Sequence, residues 1–244
     1  MIHFQIPPEV IALVCQVRRE RGYGAPRLSL FLQRYHQVYI SPTTLLKIFR
    51  QPGLRVRTWK GARRPPKRQP LPRHVGERLQ VDVKFFPRRV TGARQYCQFT
   101  AIDEATRFRV LRVYDQNSTT VAPAFLDEVR RVPPVAIKSI QTDHGSEFGW
   151  DFTSHQRDVG ITHARIPRGH PQSNGKVERS HRTDEEEFYR HLDGATLTEL
   201  AQRMAAWEAE YNFGRPHLSL KGQTPAEALV KAAEENAKSV QEVS

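Results

Sequence analysis

The sequence is short of cysteine, of long apolar runs and, over its first third, of acidic residues. Its two cysteines, Cys15 and Cys97, lie far apart. They offer neither a disulfide framework nor the close pairs of a zinc site, and they fit a reducing compartment. No run of about 18 apolar residues occurs, which argues against a membrane-spanning helix. The opening Met1-Ile-His-Phe-Gln-Ile-Pro-Pro lacks the basic-then-apolar order of a secretory signal. A soluble, cytoplasmic protein without a membrane partner is expected. Internal repeats are absent as well. Residues 1–80 hold 16 Lys and Arg but only 3 Asp and Glu, against 22 and 23 in the remainder, so the net charge of +12 sits almost wholly in the first third. Such a concentration suits a polyanion, because each neutralised phosphate releases counterions; an acidic membrane surface is the weaker alternative. At 244 residues the chain has room for one sizeable core and a small module.

Three carboxylates stand out against this background. In Leu79-Gln-Val81-Asp82-Val83-Lys-Phe85, apolar and polar residues alternate. The pattern predicts a half-buried strand with Asp82 and Lys84 on one face and Val81, Val83 and Phe85 on the other. Residues 136–142 form a second strand candidate that runs into the turn Asp143-His-Gly145, so Asp143 lies at a strand end. Asn174-Gly175 then interrupts the chain before a run with few helix breakers, and Glu178 falls in the first turns of a helix. Hard divalent cations take oxygen ligands, and two-metal sites use a few carboxylates to clamp the attacking and leaving oxygens of a phosphodiester. Asp82, Asp143 and Glu178, from three separate elements, suit that chemistry. Asp103 is the chief rival to Asp82, although an Asp in a turn more often satisfies backbone amides.

Ahead of this region, three short helices are predicted: Pro8 to Arg21, a second after Ala25-Pro26, and a third from Ser41, as N-cap with Pro42 behind it, to Arg50. If this is a helix-turn-helix, Thr43, Thr44, Lys47 and Arg50 face DNA while Leu45, Ile48 and Phe49 pack inward. A helical hairpin with solvated charges fits equally well. From Arg50 to Arg73 nine cations, Arg63, Arg64, Lys67 and Arg68 among them, occur with no acid, and four prolines bar a regular helix from the second half. An extended basic linker that tracks phosphate is expected, with an inert spacer as the alternative. Residues 87–94 read as a hairpin turn, 96–102 and 108–114 as strands, 119–131 as an amphipathic helix, 152–159 as a helix and 161–164 as a short strand. That order points to an α/β fold with a mixed sheet. Thr196-Leu-Thr-Glu199 is a capping box, Thr224-Pro-Ala-Glu227 opens the last helix, and the tail after Ala233 is expected to fray.

These residues, together with Thr100-Ala-Ile-Asp103-Glu-Ala-Thr106-Arg107, Gly169-His-Pro171-Gln-Ser-Asn174-Gly175 and Tyr211-Asn212 with Arg215-Pro-His217, resemble the DDE transposases of bacterial insertion sequences, which have a ribonuclease H-like integrase catalytic core. The resemblance runs from about Arg19 to about Leu229. Two departures are visible: the spacing between Asp143 and Glu178 is one residue shorter than usual, and His144 stands where Asn is common. The resemblance implies that Asp82, Asp143 and Glu178 are catalytic and hold Mg2+, two ions, with Mn2+ as a substitute. It favours DNA binding by the first module, and makes Lys176 and Arg182 DNA contacts, Arg182 matching a basic family position four residues after the Glu. For Arg182 an ordinary helix ion pair is the other reading. His181 reads as solvated or structural, and residues 184–187 as a solvated face.

The implied organisation is a helix-turn-helix module over 1–57, the linker over 58–75, the core over 76–192 and C-terminal helices packed on it over 193–244. The implied activity is metal-dependent cleavage at element ends, then transfer of the 3′ hydroxyl into target DNA. The partners would be double-stranded DNA of both kinds and further copies of the chain. A DNA-binding protein derived from a transposase, and an endonuclease on the same core, are the rival readings.

Overall fold

The structure is a computed structural model that describes residues 6–51, 54, 74–132, 135–167 and 171–241. Most of the basic linker, with Arg63, Arg64, Lys67 and Arg68, lies outside the described residues, as do residues 168–170. The chain divides into two compact units, Met1–Arg64 with Arg215–Gln223 and Pro65–Gly214 with Thr224–Ser244.

In the first unit, helices α1 (Pro8–Arg21), α2 (Ala25–His36) and α3 (Pro42–Ile48) enclose a core of Val14, Val17, Leu28, Leu32, Leu45, Ile48 and their neighbours. Gly22 ends α1 in the left-handed conformation, φ 66°, where only glycine is free of Cβ strain, and its N–H bonds the Arg18 carbonyl at 3.0 Å. The Arg18 side chain is itself buried. It donates to the carbonyls of Leu54 (3.3 Å) and Gly22 (2.9 Å), and its guanidinium lies 4.4 Å from the centre of the Phe49 ring. Ser41 caps α3 by accepting from the Thr44 amide at 3.2 Å.

The second unit is built on a five-stranded sheet. Its strands are β1 (Leu79–Phe85), β2 (Cys97–Asp103), β3 (Arg109–Tyr114), β4 (Ser139–Thr142) and β5 (Thr162–Arg165), in the order β3-β2-β1-β4-β5. The first three pair antiparallel, while β4 pairs parallel with β1 and with β5. The mixed sheet expected from the order of elements is therefore present. Residues 87–94 depart from the expected hairpin: a single helical turn, α4 (Arg88–Thr91), fills the connection, closed by Gly92 at φ 66° with its N–H on the Arg88 carbonyl at 2.7 Å.

Helices α5 (Val121–Arg131) and α6 (Trp150–Asp158) bring Phe125, Leu126, Val129 and Phe152 into one core with Val81, Phe99, Ala101 and Val110. The next residue on β3, Leu111, belongs to a different core, with Phe188, Tyr189, Leu200 and Met204. Successive strand residues face opposite ways, so the sheet is covered on both faces. Each fully buried Phe or Leu contributes about 1.5–3 kcal/mol through apolar area withdrawn from water. Beyond the sheet come α7 (Gly175–Glu187), α8 (Leu197–Ala209), a π-helical turn (Glu210–Gly214) and α9 (Pro225–Gln241). The Thr196–Glu199 capping box is made in full. Helix α9 continues through the tail expected to fray, as far as Gln241. No described helix is long and apolar enough to cross a membrane.

Candidate active site

Asp82 lies on β1 and Asp143 directly follows β4, its parallel neighbour. The register pairs Leu79 with Ile140 and Gln80 with Gln141, so Asp82, midway along β1, and Asp143, just past the end of β4, each lie two residues beyond the last paired residues of these adjacent parallel strands. Asp143 is turned by its own loop, with Oδ1 accepting from the Gly145 amide at 2.9 Å. Glu178 is in the first turn of α7 and exposed.

Electrostatics show how close these groups are. Burial pushes the Asp82 carboxyl from 3.8 up to about 7, the neighbouring charge of Asp143 adds to the rise, and Glu178 and Glu147 add further. A bond from the Val83 amide opposes the shift. The charges of Asp143, Glu178 and Glu147 thus all act on Asp82 in the direction of a raised pKa. As they stand, no three described His, Cys, Asp or Glu side chains converge tightly enough to hold one ion. The donor set of hard, mutually repelling oxygens nevertheless fits a divalent cation such as Mg2+.

Two members of this environment were not assigned to it from the sequence: Glu147, and His181, which read there as solvated or structural. Glu147 is buried, and its carboxylate folds back over Gly145; a Cβ there would lie 2.5 Å from Oε1. His181, one turn after Glu178, is buried too. Its Nδ1 is 3.4 Å from Asp82 Oδ2 and its Nε2 3.0 Å from Thr100 Oγ1. The Thr100 hydroxyl also accepts from Gln98 at 2.9 Å. A ring proton on Nδ1 would face Asp82 and leave Nε2 to accept from the Thr100 hydroxyl. Burial lowers the His181 pKa to about 4, so the ring is neutral at pH 7. Spacing i, i+3 from Glu178 was the only signal in the chain for His181.

Asp103 is a backbone anchor. Its Oδ1 accepts from the amides of Ala105 (3.1 Å) and Thr106 (2.7 Å) and from the Thr106 hydroxyl (2.8 Å), and its Oδ2 from the Gly76 amide (2.9 Å). Asp103→Asn should therefore lower stability, by about 1–3 kcal/mol for a disrupted buried acceptor, and retain most activity; melts and cleavage assays on the same preparation check both.

Around α7 the solvated face expected over 184–187 is half wrong. Glu185 and Glu186 are exposed, whereas Asp184 and Glu187 are buried. Asp184 accepts from Arg109 (2.7 Å), Trp207 Nε1 (2.7 Å) and Gln98 (2.8 Å), and these bonds make burial of its charge tolerable. Glu185 pairs with Lys84 at 2.5 Å on the Asp82 face of β1. Arg182 makes the ordinary helix ion pair, with Glu186 at 2.7 Å, and both are about two-fifths exposed. Lys176 is half-buried and its amide donates to Gln80 at 2.8 Å. On α3, Thr43 and Lys47 are exposed, as is Arg50 in the turn just past the helix, which ends at Ile48 rather than at Arg50 as expected, while Thr44 is half-buried with its hydroxyl 2.9 Å from that of Ser41. Leu46, 57% exposed, shares that surface.

A mixed five-stranded sheet flanked by helices, with Asp82 on its central strand and Asp143 directly after the neighbouring parallel one, is a ribonuclease H-like core. Residues 72–171 and 159–225 match two models that are each described as an integrase core domain, and the chain belongs to that family. The resemblance to insertion-sequence transposases holds in the relatives as well. The chain is 32% identical over 165 residues to a protein named as integrase ORF3 of Spiroplasma virus SpV1-C74, covering 60% of this chain and 46% of that protein. It is 26% identical to the uncharacterized 31.7 kDa protein of insertion element IS407 from Burkholderia multivorans, covering 95% and 86%. The chain thus spans under half the length of the viral relative. Among solved structures, the HTLV-2 integrase catalytic core domain in complex with magnesium matches with a TM-score of 0.52 at 15% identity, covering 63% of this chain and 95% of that one. The expected ribonuclease H-like fold is therefore present.

Proposed function

We infer that the protein is a transposase that cuts DNA at element ends and joins the freed 3′ hydroxyl to target DNA. The observation that carries this reading is the gathering of Asp143, Glu178 and Glu147 around a half-buried Asp82 whose carboxyl is pushed up to about 7. Asp82, Asp143 and Glu178 would hold two divalent ions, a reading supported by the magnesium bound to the HTLV-2 core. When bound, the ions supply Lewis-acid activation of the attacking oxygen and charge stabilisation at the leaving oxygen. The chain's own part is to keep the carboxylates oriented: Gly145 holds Asp143, and His181 with Thr100 packs against Asp82. Water attacks in the first step and a DNA hydroxyl in the second, so no side chain becomes covalently attached to DNA.

Thr43, Thr44 and Lys47 on α3 and Arg50 just after it, with Arg63, Arg64, Lys67 and Arg68, would bind the element ends, and Lys176 and Arg182 the DNA near the site. Surface ion pairs are worth at most about 1 kcal/mol, so a phosphate can take Arg182 from Glu186. Joining two ends requires them to be paired, which calls for a dimer or larger assembly. The test is incubation of the full chain with duplexes carrying candidate terminal repeats and Mg2+. Joined products support this reading, cleavage alone an endonuclease, and binding alone a non-enzymatic protein.

Within that assay Glu178→Gln should reduce cleavage and joining to background. Glu185→Gln should leave both intact and tighten DNA binding slightly, because it removes a negative charge and releases Lys84. An active Glu178→Gln protein with a normal melt would remove Glu178 from the site.

A further inference from the structure

The geometry points to Gln80 as a positioning residue that sets the spacing between Asp82 and Glu178. This rests on the reading of Asp82, Asp143 and Glu178 as the ion-holding carboxylates. An α-helix leaves its first amides without intrahelical partners, and a side chain at the N-cap ordinarily supplies one. Asn174, at the N-cap of α7, makes no such bond. The partner comes instead from β1. Gln80 Oε1 accepts from the Lys176 amide at 2.8 Å and from the Val177 amide at 3.1 Å, and Val177 immediately precedes Glu178.

The other end of the same side chain is held equally firmly. Gln80 Nε2 donates to Glu104 Oε1 at 2.7 Å and to the Ser173 carbonyl at 2.8 Å. Arg78 grips Glu104 through two bonds of 2.9 Å. Gln141, which pairs with Gln80 across β1 and β4, donates to the same Ser173 carbonyl at 2.8 Å. A primary amide offers two donors and a carbonyl with two lone pairs, and all four are used here. Gln80 is 3% exposed, so water cannot replace them.

Alternate residues of a strand share a face, which places Gln80 beside Asp82 at a separation of roughly 7 Å along β1. The path from Asp82 to Glu178 thus runs through one fully bonded side chain and the backbone just before Glu178. A shift of α7 along or away from the sheet has to break these bonds before it can move Glu178. Groups behind a metal ligand act in this way by orienting it, and their loss typically costs about 10–100-fold in ion affinity or activity.

The test compares the full-length protein with Gln80→Met, which keeps the length of the side chain and removes its polar atoms. Amide hydrogen exchange should quicken at Lys176 and Val177 while the later amides of α7 stay protected. Mg2+ affinity by calorimetry and the cleavage rate should fall together by about 10–100-fold. Duplex binding by gel shift should be unchanged. Unchanged exchange in Gln80→Met, or fast exchange with wild-type Mg2+ affinity and cleavage, overturns the inference. A wild-type protein that neither binds Mg2+ nor cuts DNA overturns the reading of the carboxylates, and the positioning role with it, whatever the exchange shows.

Discussion

Asp82→Asn is expected to make the metal-free protein more stable at pH 8 and, at the same time, inactive. The Asp82 carboxyl has a pKa of about 7 in the fold against 3.8 as the ordinary value, because it is buried and faces Asp143, Glu178 and Glu147. Between those values the folded state holds a proton that the unfolded chain has released. The contribution of Asp82 to stability is therefore greatest below pH 3.8, declines as pH rises, and levels off above about 7. About three units at 1.36 kcal/mol each place up to about 4 kcal/mol of destabilisation on the ionised form at pH 8. Asn carries no charge and escapes it. Denaturant titrations of both proteins in EDTA should coincide near pH 4 and separate progressively to pH 7, with the variant the more stable. His163, lowered to about 4 by burial, adds an acid-side loss below pH 6.5 that is common to the two proteins, whereas the loss from His181, also lowered to about 4, differs between them because its ring touches Asp82. Added Mg2+ should raise the wild type at pH 8 and not the variant. A gap independent of pH would show that Asp82 is not under this electrostatic load.

The second large effect is expected at Arg109. Its side chain and that of Asp184 are both 0% exposed and 2.7 Å apart. The Arg109 guanidinium also donates to Ser180 at 2.8 Å and lies 3.4 Å from the centre of the Tyr211 ring. Asn212 closes the arrangement from the main chain, its Oδ1 accepting from the Arg109 amide and its Nδ2 donating to the Arg109 carbonyl. Arg109→Met leaves the Asp184 charge buried without its cation, a change that costs about 3–5 kcal/mol. Removing both charges, in Arg109→Met/Asp184→Leu, should recover part of that loss, since an apolar pair avoids the desolvation of two ions while Trp207 and Gln98 lose their acceptor. The four corners of this cycle, measured by denaturant unfolding, give the coupling energy. Losses that simply add would mean that the two side chains do not depend on one another.

The two cases divide what the chain reveals from what the fold decides. Alternation in 79–85, the turn signal after Thr142 and the break at Asn174-Gly175 place Asp82, Asp143 and Glu178 on a strand, at a strand end and on a helix, because these patterns depend on neighbours within a few residues. The N-caps at Ser41 and Thr196 were legible for the same reason. The helical turn at Arg88–Thr91 was not, because Thr91-Gly92 suits a helix end as well as a hairpin. The run Asp184-Glu185-Glu186-Glu187 reads locally as solvated, since a buried charge without a partner is costly. What reverses this for Asp184 is an arginine 75 residues earlier and a tryptophan 23 residues later.

Local pattern thus determined most of the elements, which of them carry Asp82, Asp143 and Glu178, and that Asp103, as a turn residue, favours the backbone amides it is found to hold. Only the tertiary structure decided that Gln80 caps a helix 96 residues further on and that Glu147 and His181 join Asp82. The physical reason is one of range. Backbone propensity and amphipathic period act over a few residues, whereas the partners that make a buried polar group affordable come from strands and helices brought together by the apolar core.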